Sequence, residues 1–84
     1  MSILKVSVRQ VKAARALVGW SQAELASRSG ISLPTIKRIE AEDAGELGGR
    51  ADTAQAITAA LESAGVIFVA ENGEGPGVRL RKHP

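Results

Sequence analysis

Cysteine does not occur in the 84 residues, which excludes a disulfide framework, thiolate chemistry and any cysteine-bound zinc. Histidine occurs once, as His83 beside the end, so a metal site would have to be built from carboxylates alone, and neither a metal nor a cofactor is expected. Tyrosine is absent, and Trp20 and Phe68 are the only aromatic residues. The core must therefore come from Ala, Val, Ile and Leu, which suits closely packed short helices and makes help from a partner chain reasonable. Long apolar runs are missing too: the longest, Val66 to Ala70, is far short of a bilayer span. Nothing reads as a signal peptide, and a soluble cytoplasmic protein is expected. No nucleophile–base pair can be assembled from these residues, so an enzyme is not expected.

What is present is enough for one domain with one modest core. Eleven Lys and Arg against nine Asp and Glu leave a net charge of +2, which decides little by itself. The distribution says more. Cations dominate positions 5 to 38 (Lys5, Arg9, Lys12, Arg15, Arg28, Lys37, Arg38) and recur as Arg79, Arg81 and Lys82, while acids gather from Glu40 to Glu46. A chain polarised in this way suits a polyanion on one face.

A helix-start device repeats along the chain. Ser7-Val8-Arg9-Gln10, Ser21-Gln22-Ala23-Glu24 and Asp52-Thr53-Ala54-Gln55 each place a capping side chain three residues before Gln or Glu, the spacing of a reciprocal capping box. Ser32 is a fourth cap. Hydrophobic staples accompany three starts: Val6 with Val11, Trp20 with Leu25, Ile31 with Ile36. Gly19, Gly30 and Gly65 supply the left-handed residues that end helices, and Pro34 sits in a first turn, where its missing N–H costs nothing. The spacing predicts helices over 8–18, 22–28, 33–41 and 53–64. Their inward residues would be Val11, Ala14 and Val18; Ala26; Ile36 and Ile39; Ile57, Leu61 and Ala64.

After Gly65 the period changes. Val66 to Val69 is β-branched and aromatic, Asn72 to Gly77 is turn material, and Val78 to Arg81 alternates, which predicts a hairpin. Its first strand is apolar on both faces, and a lone hairpin is marginal in water. Hairpins of two chains are therefore expected to join through Val66, Ile67, Phe68, Val69, Val78 and Leu80. The organisation expected is a helical domain over 1–65 and a dimerising hairpin with a basic tail over 66–84. The tail cations would solvate an edge strand against aggregation in preference to touching a polyanion.

Function concentrates in Gln22 to Glu40: two short helices joined by a turn at Gly30, with small Ala26 where they approach closely. Ile31, Ile36 and Ile39 form the seam beneath the second helix and leave Leu33, Pro34, Lys37 and Arg38 pointing away. In a helix-turn-helix those positions enter the major groove. Residues 1–65 are therefore expected to be the DNA-binding domain, with its helix-turn-helix at 22–41, and the DNA-binding set expected is Gln22, Ser32, Leu33, Pro34, Thr35, Lys37 and Arg38. Arg38 is the natural reader of guanine, Leu33 could meet a thymine methyl, and Thr35 either touches phosphate or completes the helical turn. Trp20 reads as a staple rather than a base-stacking platform. Gly73 to Gly77 lacks the Gly-Lys-Ser/Thr ending of a phosphate loop and opens no helix. Gly45 to Gly49 reads as a flexible connector.

Over roughly Val8 to Leu61 the chain resembles the Cro/λ-repressor (XRE) helix-turn-helix family. The resemblance rests on Gln22-x-x-Leu25-Ala26-x-x-x-Gly30-Ile31-Ser32-x-x-x-Ile36-x-x-Ile39-Glu40. It implies a mainly α fold, a four- to five-helix λ-repressor-like bundle that binds operator DNA as a dimer, here with a C-terminal β-hairpin. It further implies that Gln22 touches a phosphate and braces the recognition helix, and that Arg15 and Glu40 form a buried ion pair. The chain departs from the family after the recognition helix, where a phosphate-gripping stretch is replaced by acidic, glycine-rich residues 41–49; Arg50 is the cation placed to take over that contact. Some short members, antitoxins among them, dimerise through a terminal strand.

The reading is thus a homodimeric regulator, a repressor of an inverted-repeat operator with its own promoter as one target, bound to double-stranded DNA on the nucleoid. Contact with polymerase would turn repression into activation. Two rivals stand beside it: an antitoxin that also binds a toxin protein, and a protein-interaction module without DNA binding, for which the acidic loop is the argument.

Overall fold

The computed structural model describes residues 6–42, 45–47 and 50–82. Four helices come first, α1 (Val8–Val18), α2 (Gln22–Ser29), α3 (Leu33–Ala41) and α4 (Ala51–Ser63). A hairpin of β1 (Val66–Val69) and β2 (Gly77–Leu80) follows. This is a mainly helical, λ-repressor-like arrangement with four helices among the described residues.

Local chemistry explains most boundaries. Ser7 makes a complete capping box: its hydroxyl accepts from the Gln10 amide at 3.1 Å, and the Gln10 side-chain oxygen accepts from the Ser7 amide at 2.9 Å. At α2 only half of the expected box forms. Ser21 accepts from the Glu24 amide, but the Glu24 carboxylate turns outward to Arg28, 2.7 Å away. Ser32 caps α3 through the Thr35 amide, with Pro34 in the first turn. Gly19 and Gly30 close α1 and α2 at φ +74° and +75°, a conformation that costs other residues roughly 1–2 kcal/mol.

Three expectations are corrected. Asp52 does not cap α4: the helix starts at Ala51 after an extended Arg50, with no side-chain cap bond. Asp52 lies in the first turn and pairs with Arg50 at 3.2 Å, where its charge still opposes the helix dipole. Ala64, expected to point inward, is the exposed C-cap, because α4 ends at Ser63 and positive-φ Gly65 then turns the chain into β1. The expected connector at 45–49 is tied down over its first part. Val8 donates to the Gly45 carbonyl at 3.1 Å and Leu47 donates to the Val6 carbonyl at 2.7 Å, so 45–47 runs antiparallel to 6–8. Leu47 adds an apolar anchor against the core. Gly48 and Gly49 lie outside the described residues.

One core joins all the elements: Val6, Val8, Val11, Ala14, Leu25, Ile36, Ile39, Ile57, Leu61, Val66 and Phe68. Trp20, Ala26 and Ile31 pack against it, so each staple residue contributes. β1 and β2 pair antiparallel with Val66 opposite Leu80 and Phe68 opposite Val78. The alternation buries Val66 and Phe68 and leaves Ile67 and Val69 half-buried on the other face.

Gln10 pins this hairpin to the helices. Only 5% exposed, it donates from Nε2 to the Val69 carbonyl at 3.2 Å and to the Gly77 carbonyl at 2.9 Å, while its oxygen serves the α1 cap. Val69 and Gly77 are the last register pair before the turn. One amide therefore satisfies a helix start and holds a strand pair. That second role has no local sequence signal, since its partners lie 59 and 67 residues away.

Candidate nucleic-acid interface

α2 and α3 meet across the turn at Gly30, and α3 divides cleanly by exposure. Ile36, Ile39 and Glu40 are buried, whereas Ser32, Pro34, Lys37 and Arg38 are exposed and Leu33 and Thr35 are half-exposed. Burial of Ile36 and Ile39, three residues apart, fixes the rotation of the helix; its opposite face then carries the two cations. The same face also presents the helix N-terminus, whose amides and dipole favour an anion. Ser32 and Thr35 are bonded hydroxyl to hydroxyl at 2.9 Å there.

The tilt of α3 is held by a charged cluster behind it. The Glu40 carboxylate is 2% exposed and receives two bonds from the Arg15 guanidinium, Nε to Oε2 at 2.8 Å and Nη2 to Oε1 at 2.7 Å. The third arm, Nη1, donates to the Trp20 carbonyl at 2.9 Å, so Arg15 ties the link between α1 and α2 into the same knot. Gln22 adds a bond from Nε2 to Glu40 Oε1 at 3.1 Å. Fork-on-carboxylate geometry fixes orientation as well as distance. Burial alone would push the Glu40 carboxyl up. The hydrogen bonds from Arg15 and Gln22 and the charges of Arg15 and Lys12 outweigh it and hold the group below its usual value. Gln22, at the opening of α2, thereby touches the residue that closes α3.

The other residues singled out by sequence lie apart from this face. Trp20 packs on the core, with the Arg28 guanidinium 5.3 Å above its ring. That Arg28 contact, absent from the sequence reading, had only the Glu24–Arg28 spacing as a signal. Arg50 is exposed and paired to Asp52. Within the hairpin, Val66 and Phe68 belong to the protomer's own core, Ile67, Val69 and Val78 are half-buried, and Leu80 is 45% exposed. Among the described residues no helix is long and apolar enough to cross a membrane, and no cluster of three metal-ligating side chains occurs.

Comparison with known proteins adds a family. Residues 11–45, from α1 to the loop after α3, match the model of the helix-turn-helix family. No curated protein matches the chain. Proteins of this family are DNA-binding regulators rather than catalysts. Over residues 11–45 the chain is thus similar to the Cro/C1-type helix-turn-helix (XRE) family, a match that supports, in general terms, a DNA-binding transcriptional regulator.

Proposed function

We propose that the protein is a homodimeric repressor that reads an inverted-repeat operator, its own promoter among the targets. The observation that carries this reading is the divided surface of α3: Lys37 and Arg38 exposed beside Leu33 and Pro34, on a helix fixed from behind by Ile36, Ile39 and Glu40. With α3 in the major groove, Arg38 donates to guanine and Lys37 to a base or phosphate, while Leu33 and Pro34 offer apolar contact to a thymine methyl. Ser32, Thr35 and Gln22 contact phosphate; Gln22 can do so through the part of its amide that Glu40 leaves free. Residues 1–65 engage DNA and 66–84 join two copies, which sets the recognition helices about 34 Å apart on successive turns of the duplex. Occlusion of the promoter on the nucleoid is then sufficient to repress.

The test is fluorescence anisotropy on DNA from just upstream of the gene, across a salt series, with Arg38→Ala beside the wild type. Loss of one bidentate base contact weakens specific binding roughly 5- to 150-fold and random-duplex binding much less. Equal, weak binding of both proteins to every duplex would overturn groove reading by α3.

A further inference from the structure

The two outer edges of the hairpin are unequal. Arg81 donates to the Gly65 carbonyl, so 65 and 81 form a hydrogen-bonded pair. In an antiparallel ladder such pairs alternate, and the backbone groups of Val66, Phe68, Val78 and Leu80 must therefore point outward. On β1 the outward residues are buried, Val66 at 1% and Phe68 at 7%, which places their peptide groups inside the protomer. On β2 they are half-buried Val78 and Leu80, 45% exposed. Among the described residues no further strand pairs with β2. Pro76, the next outward residue toward the turn, carries no N–H and ends the usable edge there.

Charge runs along this hairpin from one end to the other. The tip holds Glu71 and Glu74, the base holds Arg81 and Lys82, Arg79 lies between them within β2, and all five are exposed. Glu71 is engaged by its own loop, accepting from the Gly73 and Gly75 amides at 2.8 and 3.1 Å. Glu74 is free of that task.

We propose that β2 pairs edge to edge with β2 of a second copy, antiparallel about a two-fold axis, with the acidic tip of each hairpin against the basic base of the other. This rests on the dimeric reading above and names its surface and direction. A parallel pairing would set base against base and crowd all the cations; the antiparallel one faces only the two copies of Arg79 at its centre and brings opposite charges together at both ends. Cations on an edge strand repel arbitrary partners, and the partner that answers them must bring carboxylates at the matching end. The tip of this same chain does so. Pairing also covers Leu80 and gives the outward groups of Val78 and Leu80 their partners.

Sedimentation velocity over a concentration series tests the proposal with four variants. Leu80→Pro removes an outward N–H and no bond inside the hairpin, so it should be monomeric where the wild type is dimeric, with helical circular dichroism retained. Glu74→Lys and Lys82→Glu should each weaken dimerisation, on the order of tenfold for the two equivalent contacts. The double variant Glu74→Lys/Lys82→Glu should restore it. Within one hairpin these residues lie at opposite ends, so rescue reports a contact between chains. A dimeric Leu80→Pro, or no rescue by the double variant, would overturn pairing through β2 and leave the dimer standing. A wild type that is monomeric both free and on DNA would overturn the dimeric reading as well.

Discussion

Glu40 shows how much one carboxylate can hold in place. Its two oxygens accept three bonds from α1 and α2 side chains, so orientation of the recognition helix depends on a charge that water does not reach. Removing either partner leaves the other charge uncompensated, but not equally. The Glu40 side chain is 2% exposed and that of Arg15 is 19% exposed. Arg15→Ala should therefore cost more than Glu40→Ala, about 3–5 kcal/mol by urea denaturation for the stranded carboxylate. Equal losses would show that Glu40 hydrates in the variant. The pH dependence follows from the depressed pKa of Glu40. The folded value lies below the unfolded one, so the stabilisation is complete above the unfolded carboxylate's pKa of about 4.3 and is lost as pH falls through the folded pKa. Urea midpoints of wild type and Glu40→Gln should differ at pH 7 and converge in acid. A gap unchanged to pH 2 would assign the difference to packing instead of charge.

At the scale of elements, Gln10 is the joint between α1 and the hairpin. Gln10→Ala removes a half capping box and two bonds to strand carbonyls, and should cost roughly 1–3 kcal/mol. Gln10→Glu should be worse at neutral pH despite its near-identical shape. An ionised carboxylate offers only acceptors to the two carbonyl oxygens of Val69 and Gly77, and acid should relieve the penalty. Thermal melts at pH 7 and pH 4 would check this; a Gln10→Glu melt no lower than that of Gln10→Ala would mean that the hairpin detaches. The turn offers a simpler case. A Cβ at Gly30 would meet nothing within 4 Å, so Gly30→Ala should pay only for its φ of +75°, roughly 1 kcal/mol, and keep its DNA affinity.

Elements of this kind were legible in the sequence where their chemistry is local. Ser7, Ser21 and Ser32 caps, Gly19 and Gly30 stops and the α3 seam all act within one or two turns, and a reading of spacing reaches them. Asp52 misled because the chain is already extended at Arg50, and the helix starts two residues sooner than expected. The antiparallel pairing of 45–47 with 6–8 and the grip of Gln10 on Val69 and Gly77 join distant segments, and no periodicity carries that information. The exposed face of α3 was legible because two buried isoleucines fix it. The Gln22–Glu40 bond crosses from α2 to α3 and follows from no spacing; only the family resemblance implied that Gln22 braces the recognition helix.

For the whole molecule, the proposed pairing of β2 edges would make stability depend on association. If dimer formation accompanies folding, a hundredfold rise in protein concentration should raise the melting temperature by roughly 5–10 °C. Leu80→Pro should show no such rise. A wild-type melting temperature independent of concentration would mean that each protomer is fully stable alone and that its partner adds nothing to the fold.

The clamp at Gln10 also sets a clock. During synthesis α1 leaves the ribosome early, yet the carbonyls that its buried amide requires belong to Val69 and Gly77, made 59 and 67 residues later. At about 5–20 residues per second that is a wait of roughly 3–13 s, with the amide left to water and a core still lacking Val66 and Phe68. A chain halted before the hairpin should therefore be cleaved by added protease more readily than the finished one, because it lacks both the Gln10 clamp and the last part of the core.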